Sequence, residues 1–167
     1  MRVLPLLLLA SLAGCVAAPA PRPAPAPITA VPRPAPVPVA TPAPPPADWR
    51  DWPLTAGEWR YAGGIATFGA PGQTRLRLAC AGDRGTLILT QPGARAGATT
   101  LRTTSMARTL AATAGAEGAQ LALPARDPAV DAMGFSRGRF VLEQPGIAPL
   151  VVPAAPEILR VAEDCRG

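Results

Sequence analysis

The sequence predicts a mainly β domain, a small β-sandwich or barrel with two short helices, preceded by a disordered Pro/Ala-rich linker. Three observations predict it. Turn signals recur every 8 to 12 residues beyond Asp48, and short apolar or alternating runs lie between them. Of the 23 Pro residues, 13 fall between Pro19 and Pro46. About 120 residues remain for the domain, enough to bury one modest core.

Nine short segments have the apolar pattern of strands and are bounded by turn residues. In the best example, Thr74–Cys80, apolar and polar residues alternate, so that Leu76, Leu78 and Cys80 share a face. The run from Thr99 to Thr113 is ambiguous between helix and strand. The expected strands are Glu58–Ala62, Ile65–Phe68, Thr74–Cys80, Thr86–Gln91, Thr99–Thr104, Ala107–Ala112, Ala119–Leu123, Gly138–Gln144 and Leu150–Val152.

Two helix starts carry a proline at the first helical position. Asp127 followed by Pro128 has the form of an N-cap before a short helix that ends near Met133. Pro156 begins a second helix that ends near Cys165.

The composition excludes several kinds of chemistry. The chain has no His, and its 16 basic residues are all Arg, so a Ser-His-Asp triad, a His metal site and a Lys Schiff base are impossible. The formal charge is +5, but from Asp48 onward 13 Arg face 11 acidic residues. Because the Arg residues are scattered along the domain, no nucleic-acid partner is expected.

The first residues have the form of an export signal. A positive start and the apolar run Val3–Ala10 precede Leu12-Ala13-Gly14-Cys15, which resembles the bacterial lipobox. This resemblance implies a lipoprotein signal peptide over residues 1–14, and a lipidated Cys15 that carries a diacylglyceryl group and an amide-linked acyl chain such as palmitate. Several acyl chains give stable anchoring. Val16 follows the cysteine, which favours the outer membrane, with the domain facing the periplasm.

Residues 15–47 then form the lipidated cysteine and the Pro-rich linker, and residues 48–167 the β-rich domain. Proline fixes φ and removes a donor, so Ala-Pro repeats favour extended polyproline II. At about 3.1 Å per residue, the 28 residues from Pro19 to Pro46 could reach roughly 90 Å. It is interpreted as a stalk, and a PxxP recognition motif is the alternative.

Once Cys15 is assigned to lipid, Cys80 and Cys165 are the one pair left among three cysteines. A disulfide between them would join the C-terminus to the sheet. A two-thiol redox or metal site is the alternative, but the spacing is not CxxC and no His is present. We therefore expect a disulfide-stapled domain with no cofactor and no metal.

Two motifs resemble catalytic sites. Gly134-Phe135-Ser136-Arg137-Gly138 matches G-x-S-x-G, but a helix is expected before it, a strand after it, and the chain has no His base. We interpret it as a loop. Asp127 and Asp131 lie four residues apart on one helix face, where the first is explained as a cap and the second as a first-turn acid. No catalytic residue is predicted, and an enzyme is not expected.

Aromatic residues cluster where the linker meets the domain. Trp49 and Trp52 flank Arg50 and Asp51. Such residues either pack a chain terminus onto the core or bind a partner. If any set binds, the sequence favours Trp49, Trp52 and Tyr61 with the neighbouring Arg60.

Two family resemblances follow from this order of elements. Roughly from residue 74 to 165, the order of elements resembles the small periplasmic β-sandwich proteins of the invasion-associated locus B type. These elements are the cysteine strand, its hairpin partner, a strand around Leu101-Arg102, the helix before Gly138–Gln144 and the last segment that ends at Cys165. Those proteins are non-catalytic. The segment Leu54-Thr55-Ala56-Gly57-Glu58-Trp59 and the strand that ends at Cys80 are similar to the start of the small β-barrel inhibitors of bacterial metalloproteases.

These observations predict a non-enzymatic outer-membrane lipoprotein with a binding or structural role in the envelope. An envelope protein or peptidoglycan is the expected partner, in addition to the membrane itself. A small β-barrel inhibitor of a secreted protease is the alternative function.

Overall fold

The structure, a computed structural model, describes residues 47–167. The predicted signal peptide, Cys15 and residues 16–46 of the Pro-rich linker lie outside the described residues. Within them, the prediction of a mainly β fold with two helices is confirmed, and the ambiguous region from Thr99 to Thr113 is two strands. A 3-10 turn, Trp49–Asp51, precedes the sheet and was not predicted.

The described residues form nine strands and two α-helices. The strands are β1 (Glu58–Ala62), β2 (Ile65–Ala70), β3 (Gln73–Cys80), β4 (Thr86–Pro92), β5 (Gly97–Arg102), β6 (Ala107–Gly115), β7 (Gly118–Pro124), β8 (Arg139–Glu143) and β9 (Leu150–Pro153). The helices are α1 (Pro128–Gly134) and α2 (Pro156–Arg166).

All neighbouring strands in the sheet are antiparallel, in the order β1-β2-β3-β4-β7-β6-β5-β8-β9. The long strand β6 joins the two halves, because its first part pairs with β5 and its last three residues pair with β7. The sheet therefore curls around its buried face. Its two outer strands, β1 and β9, come together, since the Trp59 indole N–H donates to the Pro153 carbonyl at 2.8 Å. Just before β1, the Thr55 N–H also donates to the Val151 carbonyl of β9 at 2.9 Å.

Alternation along the strands buries one face of the sheet. Leu76 and Leu78 of β3 and Leu87 and Leu89 of β4 are buried, as their spacing predicts. Ala129, Val130 and Met133 of α1 and the apolar face of α2 join the same core. The two helices therefore cover the core together with the sheet.

A close approach of two glycines brings the segment before β1 against β2. A Cβ on Gly57 would lie 2.7 Å from the Gly69 Cα, and both residues have positive φ (+151° and +156°). Only glycine fits there without a shift of the backbone. This contact leads the chain from the 3-10 turn into the sheet.

Candidate functional site

A basin of about 670 Å³ lies where three segments meet. These are the 3-10 turn, the β5–β6 loop and the loop from α1 to β8. The basin is lined by Arg50, Thr104, Ser105, Phe135, Arg137, Gly138 and Arg139. Three of its seven lining residues are therefore arginines, and none is acidic.

Two of the three guanidinium groups form no ion pair with any carboxylate of residues 47–167. Arg137 is exposed. Arg139 is half-buried and donates to the Trp52 carbonyl. Arg50 is the exception, since it pairs with Asp48 at 3.4 Å and lies over the Trp49 ring at 4.8 Å from the ring centroid. The basin is thus an electropositive concavity.

Hydrogen bonds pin the α1–β8 loop to the β5–β6 loop. The Thr104 N–H donates to the Ser136 Oγ at 3.0 Å, and the Arg137 N–H donates to the Thr104 Oγ1 at 3.1 Å. Ser136 is 5% exposed, and its hydroxyl donates to the Arg139 carbonyl. The Gly138 φ of +80° completes the turn into β8. Ser136 therefore fixes the shape of this loop, as expected from the interpretation of G-x-S-x-G as a turn.

Phe135 stands at this basin with 73% of its surface exposed. The buried stripe of α1 consists of Ala129, Val130 and Met133, and Phe135 lies one residue beyond the last helical residue and off that stripe. The sequence interpretation missed it. The sequence did contain a sign of this exposure. Phe135 does not continue the helical spacing of the buried residues of α1, so no helix face would bury it.

The structure divides the predicted binding surface of Trp49, Trp52, Arg60 and Tyr61. Trp49 and Trp52 are half-buried and belong to the 3-10 turn and its C-cap, beside the basin. Arg60 and Tyr61 are neighbours in β1, so they point to opposite faces of the sheet. Arg60 is exposed and lies 3.9 Å from Glu58. Only the tryptophan half of that prediction lies at the basin, where Phe135, Arg137 and Arg139 join it.

Tyr61 lies instead at what we call the stapled end, which comprises Tyr61, Cys80, Arg160, Asp164 and Cys165. Cys80 and Cys165 form a disulfide with 5.2 Å between their Cα atoms, as predicted. The Tyr61 hydroxyl donates to the Asp164 carboxylate, and the Arg160 guanidinium lies 4.9 Å from the Tyr61 ring centroid. The hydrogen bond to Asp164, followed by burial and the Asp164 charge, raises the pKa of Tyr61.

Asp127 and Asp131, the two carboxylates at the start of α1, both bind other residues of the domain. Asp127 caps the helix, since its carboxylate accepts from the Ala129 N–H at 2.8 Å and from Arg108 at 2.9 Å. Burial by itself would raise the pKa of Asp127, but these two hydrogen bonds outweigh it and the pKa is lowered. Asp131 pairs with Arg166 of α2 at 2.9 Å. The two residues hold the helices in place.

The part of the chain that the structure describes, residues 47–167, contains two α-helices. Neither helix there is long and apolar enough to cross a membrane. No cluster of three Cys, Asp or Glu side chains within it has a geometry suited to a metal ion. No protein-family model, curated protein or solved structure is found to match the chain.

Proposed function

We propose that this chain is a non-enzymatic lipoprotein of the outer membrane, which displays its β-domain in the periplasm and binds an envelope partner through the basin. The basin is the observation that carries the proposal. It combines three arginines with an exposed phenylalanine, and Trp49 and Trp52 lie beside it. Aromatic residues and arginine are the residue types that dominate binding surfaces.

The rigidity of the basin favours binding over a passive role. Side chains on a loop that is already held in place lose less conformational freedom when a ligand binds. Phe135 and Arg137 flank Ser136, which is buried and hydrogen-bonded to two other segments. Phe135 is 73% exposed and lies outside the buried core, and contact with a partner would explain an aromatic side chain there.

The location is supported by sequence and covalent structure together. The lipobox motif Leu12-Ala13-Gly14-Cys15 supports an anchor, and the Pro-rich linker supports a domain held away from the lipid. The Cys80–Cys165 disulfide supports an oxidising compartment, because disulfides are rare in the cytosol. Together these features favour the periplasm.

The proposal has two tests. For the anchor, cells that express the chain are labelled with palmitate, and Cys15→Ala should abolish both the label and membrane retention. For the basin, the full chain is used to capture ligands from envelope fractions in parallel with Arg137→Gln. Arg75→Gln is the matched control, because it removes one exposed arginine from β3. Equal capture by all three chains would overturn the binding role.

Protease inhibition is a second candidate function. The observation in its favour is that the outer strands meet, which gives a barrel-like sheet with a short turn at Trp49–Asp51 before it. Stoichiometric inhibition of a secreted metalloprotease, lost when Trp49 and Trp52 are changed to Ala, would establish it. If the protease is unaffected, inhibition is excluded and binding of an envelope partner remains the proposed function.

A further inference from the structure

The charges around the basin define the charge of its ligand. Arg137 and Arg139 form no ion pair with the described carboxylates, and Arg50 is paired with Asp48. A ligand that is neutral or cationic would leave these guanidinium groups uncompensated. Electrostatic complementarity therefore favours an anion.

The shape of the basin selects among anions. A flat lipid surface cannot enter a concavity, whereas a basin of about 670 Å³ accommodates the end of a chain. Guanidinium groups form paired hydrogen bonds with the two oxygens of a carboxylate. The Arg137 backbone is fixed through Thr104, so its side chain starts from a set position.

The remaining lining residues indicate what adjoins the anion. Phe135 presents an apolar ring, and Thr104 and Ser105 line the basin beside it. A ligand that combines a carboxylate with apolar and hydroxyl-bearing portions matches this mixture. Peptide-substituted glycans have all three.

We propose that the basin binds the carboxylate-bearing peptide side chains of the cell-wall glycan. This inference rests on the proposed function, because it takes the ligand from the compartment in which the domain is displayed. The proposed periplasmic location places the domain in the compartment that holds this carboxylate-rich polymer. Arg137 and Arg139 bind the carboxylate, and Phe135 covers the adjoining apolar atoms.

Cosedimentation with purified cell-wall sacculi tests this proposal. The full chain carries Cys15→Ser, so that no acyl group contributes, and is mixed with intact sacculi or with sacculi whose carboxylates have been amidated. We expect the chain to bind intact sacculi, and amidation or Arg137→Gln to weaken binding about tenfold, as for the loss of a charged hydrogen bond. Phe135→Ser should weaken binding as well. Arg75→Gln should bind as tightly as the parent chain.

Two further probes separate the alternatives. Chitin offers a related sugar backbone without peptide, and vesicles of phosphatidylglycerol offer an anionic lipid surface; the proposal predicts weak binding to both. Equal binding to intact and amidated sacculi, or binding to the vesicles with none to sacculi, overturns it. If envelope capture still depends on Arg137 in that case, the proposed binding role stands and only the ligand class fails. If capture does not depend on Arg137, both fail.

Discussion

The stapled end and the basin use the same residue types in opposite ways. At the stapled end, the aromatic ring of Tyr61 lies against Arg160, its hydroxyl is bound to Asp164, and the next residue, Cys165, is tied to Cys80. At the basin, Phe135 projects into solvent and Arg137 forms no ion pair within the described residues.

This contrast indicates that the stapled end serves stability and that the basin serves recognition. Where an arginine, an aromatic ring and a carboxylate satisfy each other, the protein gains internal contacts and leaves little for a partner. At the basin, Arg137 forms no ion pair with a described carboxylate and Phe135 is largely exposed, so both side chains remain open to a ligand. Variants at the stapled end should therefore change unfolding, and variants at the basin should change binding.

The largest effect on stability should come from the disulfide. Replacing Cys80 and Cys165 with Ser should lower the free energy of unfolding by about 4 to 5 kcal/mol, because the bridge closes a loop of 85 residues that the unfolded chain would otherwise explore. Urea unfolding measures this. Cys15→Ser is the control and should unfold as the parent does. A loss below about 1 kcal/mol would show that the disulfide contributes little to the free energy of unfolding.

Two residues at the C-terminal end of α1 should behave in opposite ways. Met133 is fully buried, so Met133→Ala should lower the free energy of unfolding by about 2 to 5 kcal/mol. Phe135 is 73% exposed, so Phe135→Ala should change it by less than about 0.5 kcal/mol while it weakens sacculus binding. Denaturant titration and cosedimentation on both variants test the contrast. Marked destabilisation by Phe135→Ala would give that ring a packing role.

The helix cap should add a smaller, pH-dependent contribution. Asp127→Ala should lower stability at neutral pH by about 1 kcal/mol, the usual loss for an N-cap. The folded state lowers the pKa of Asp127, so its contribution is present above the unfolded value of about 3.9 and disappears as the pH falls through the folded pKa. The parent and the variant should therefore converge in acid. A gap that is constant with pH would contradict this account.

The smallest effect should come from Tyr61→Phe, which removes only the hydroxyl that binds Asp164. The folded state raises the pKa of Tyr61, so its contribution is complete below the unfolded value of about 10 and is lost as the pH rises through the folded pKa. The variant should lose part of the alkaline sensitivity of unfolding and bind sacculi normally. Weakened binding would show that the two regions are not independent.

The fold was largely predictable because period-two burial and turn residues act locally. Leu76 and Leu78 alternate with arginines, and Pro128 after Asp127 marks a helix start. The order of strands was not predictable, because the pairing of β4 with β7 and of β5 with β8 depends on contacts far apart in sequence. The 3-10 turn at Trp49–Asp51 was also missed, since an Asp48 cap on three residues gives little periodic signal.

The site was predictable only in part. The sequence drew attention to Trp49 and Trp52, which lie beside the basin, but it could not show that the loop with Phe135 and Arg137 comes to the same place. That meeting depends on two hydrogen bonds of Thr104, one with Ser136 and one with Arg137, which lie 32 and 33 residues away in the sequence. Grouping Arg60 with Tyr61 overlooked the alternation of a strand.

In this account, the basin binds the ligand and the stapled end does not. The most direct test of this difference is a titration of the Cys15→Ser chain with a soluble cell-wall glycopeptide, followed through the NMR signals of the arginine side chains. The account predicts shifts for Arg50, Arg137 and Arg139, and for the ring of Phe135, whereas Arg75 and Arg160 stay unchanged. Shifts at Arg160 and Tyr61, or no shift at any arginine, would contradict it.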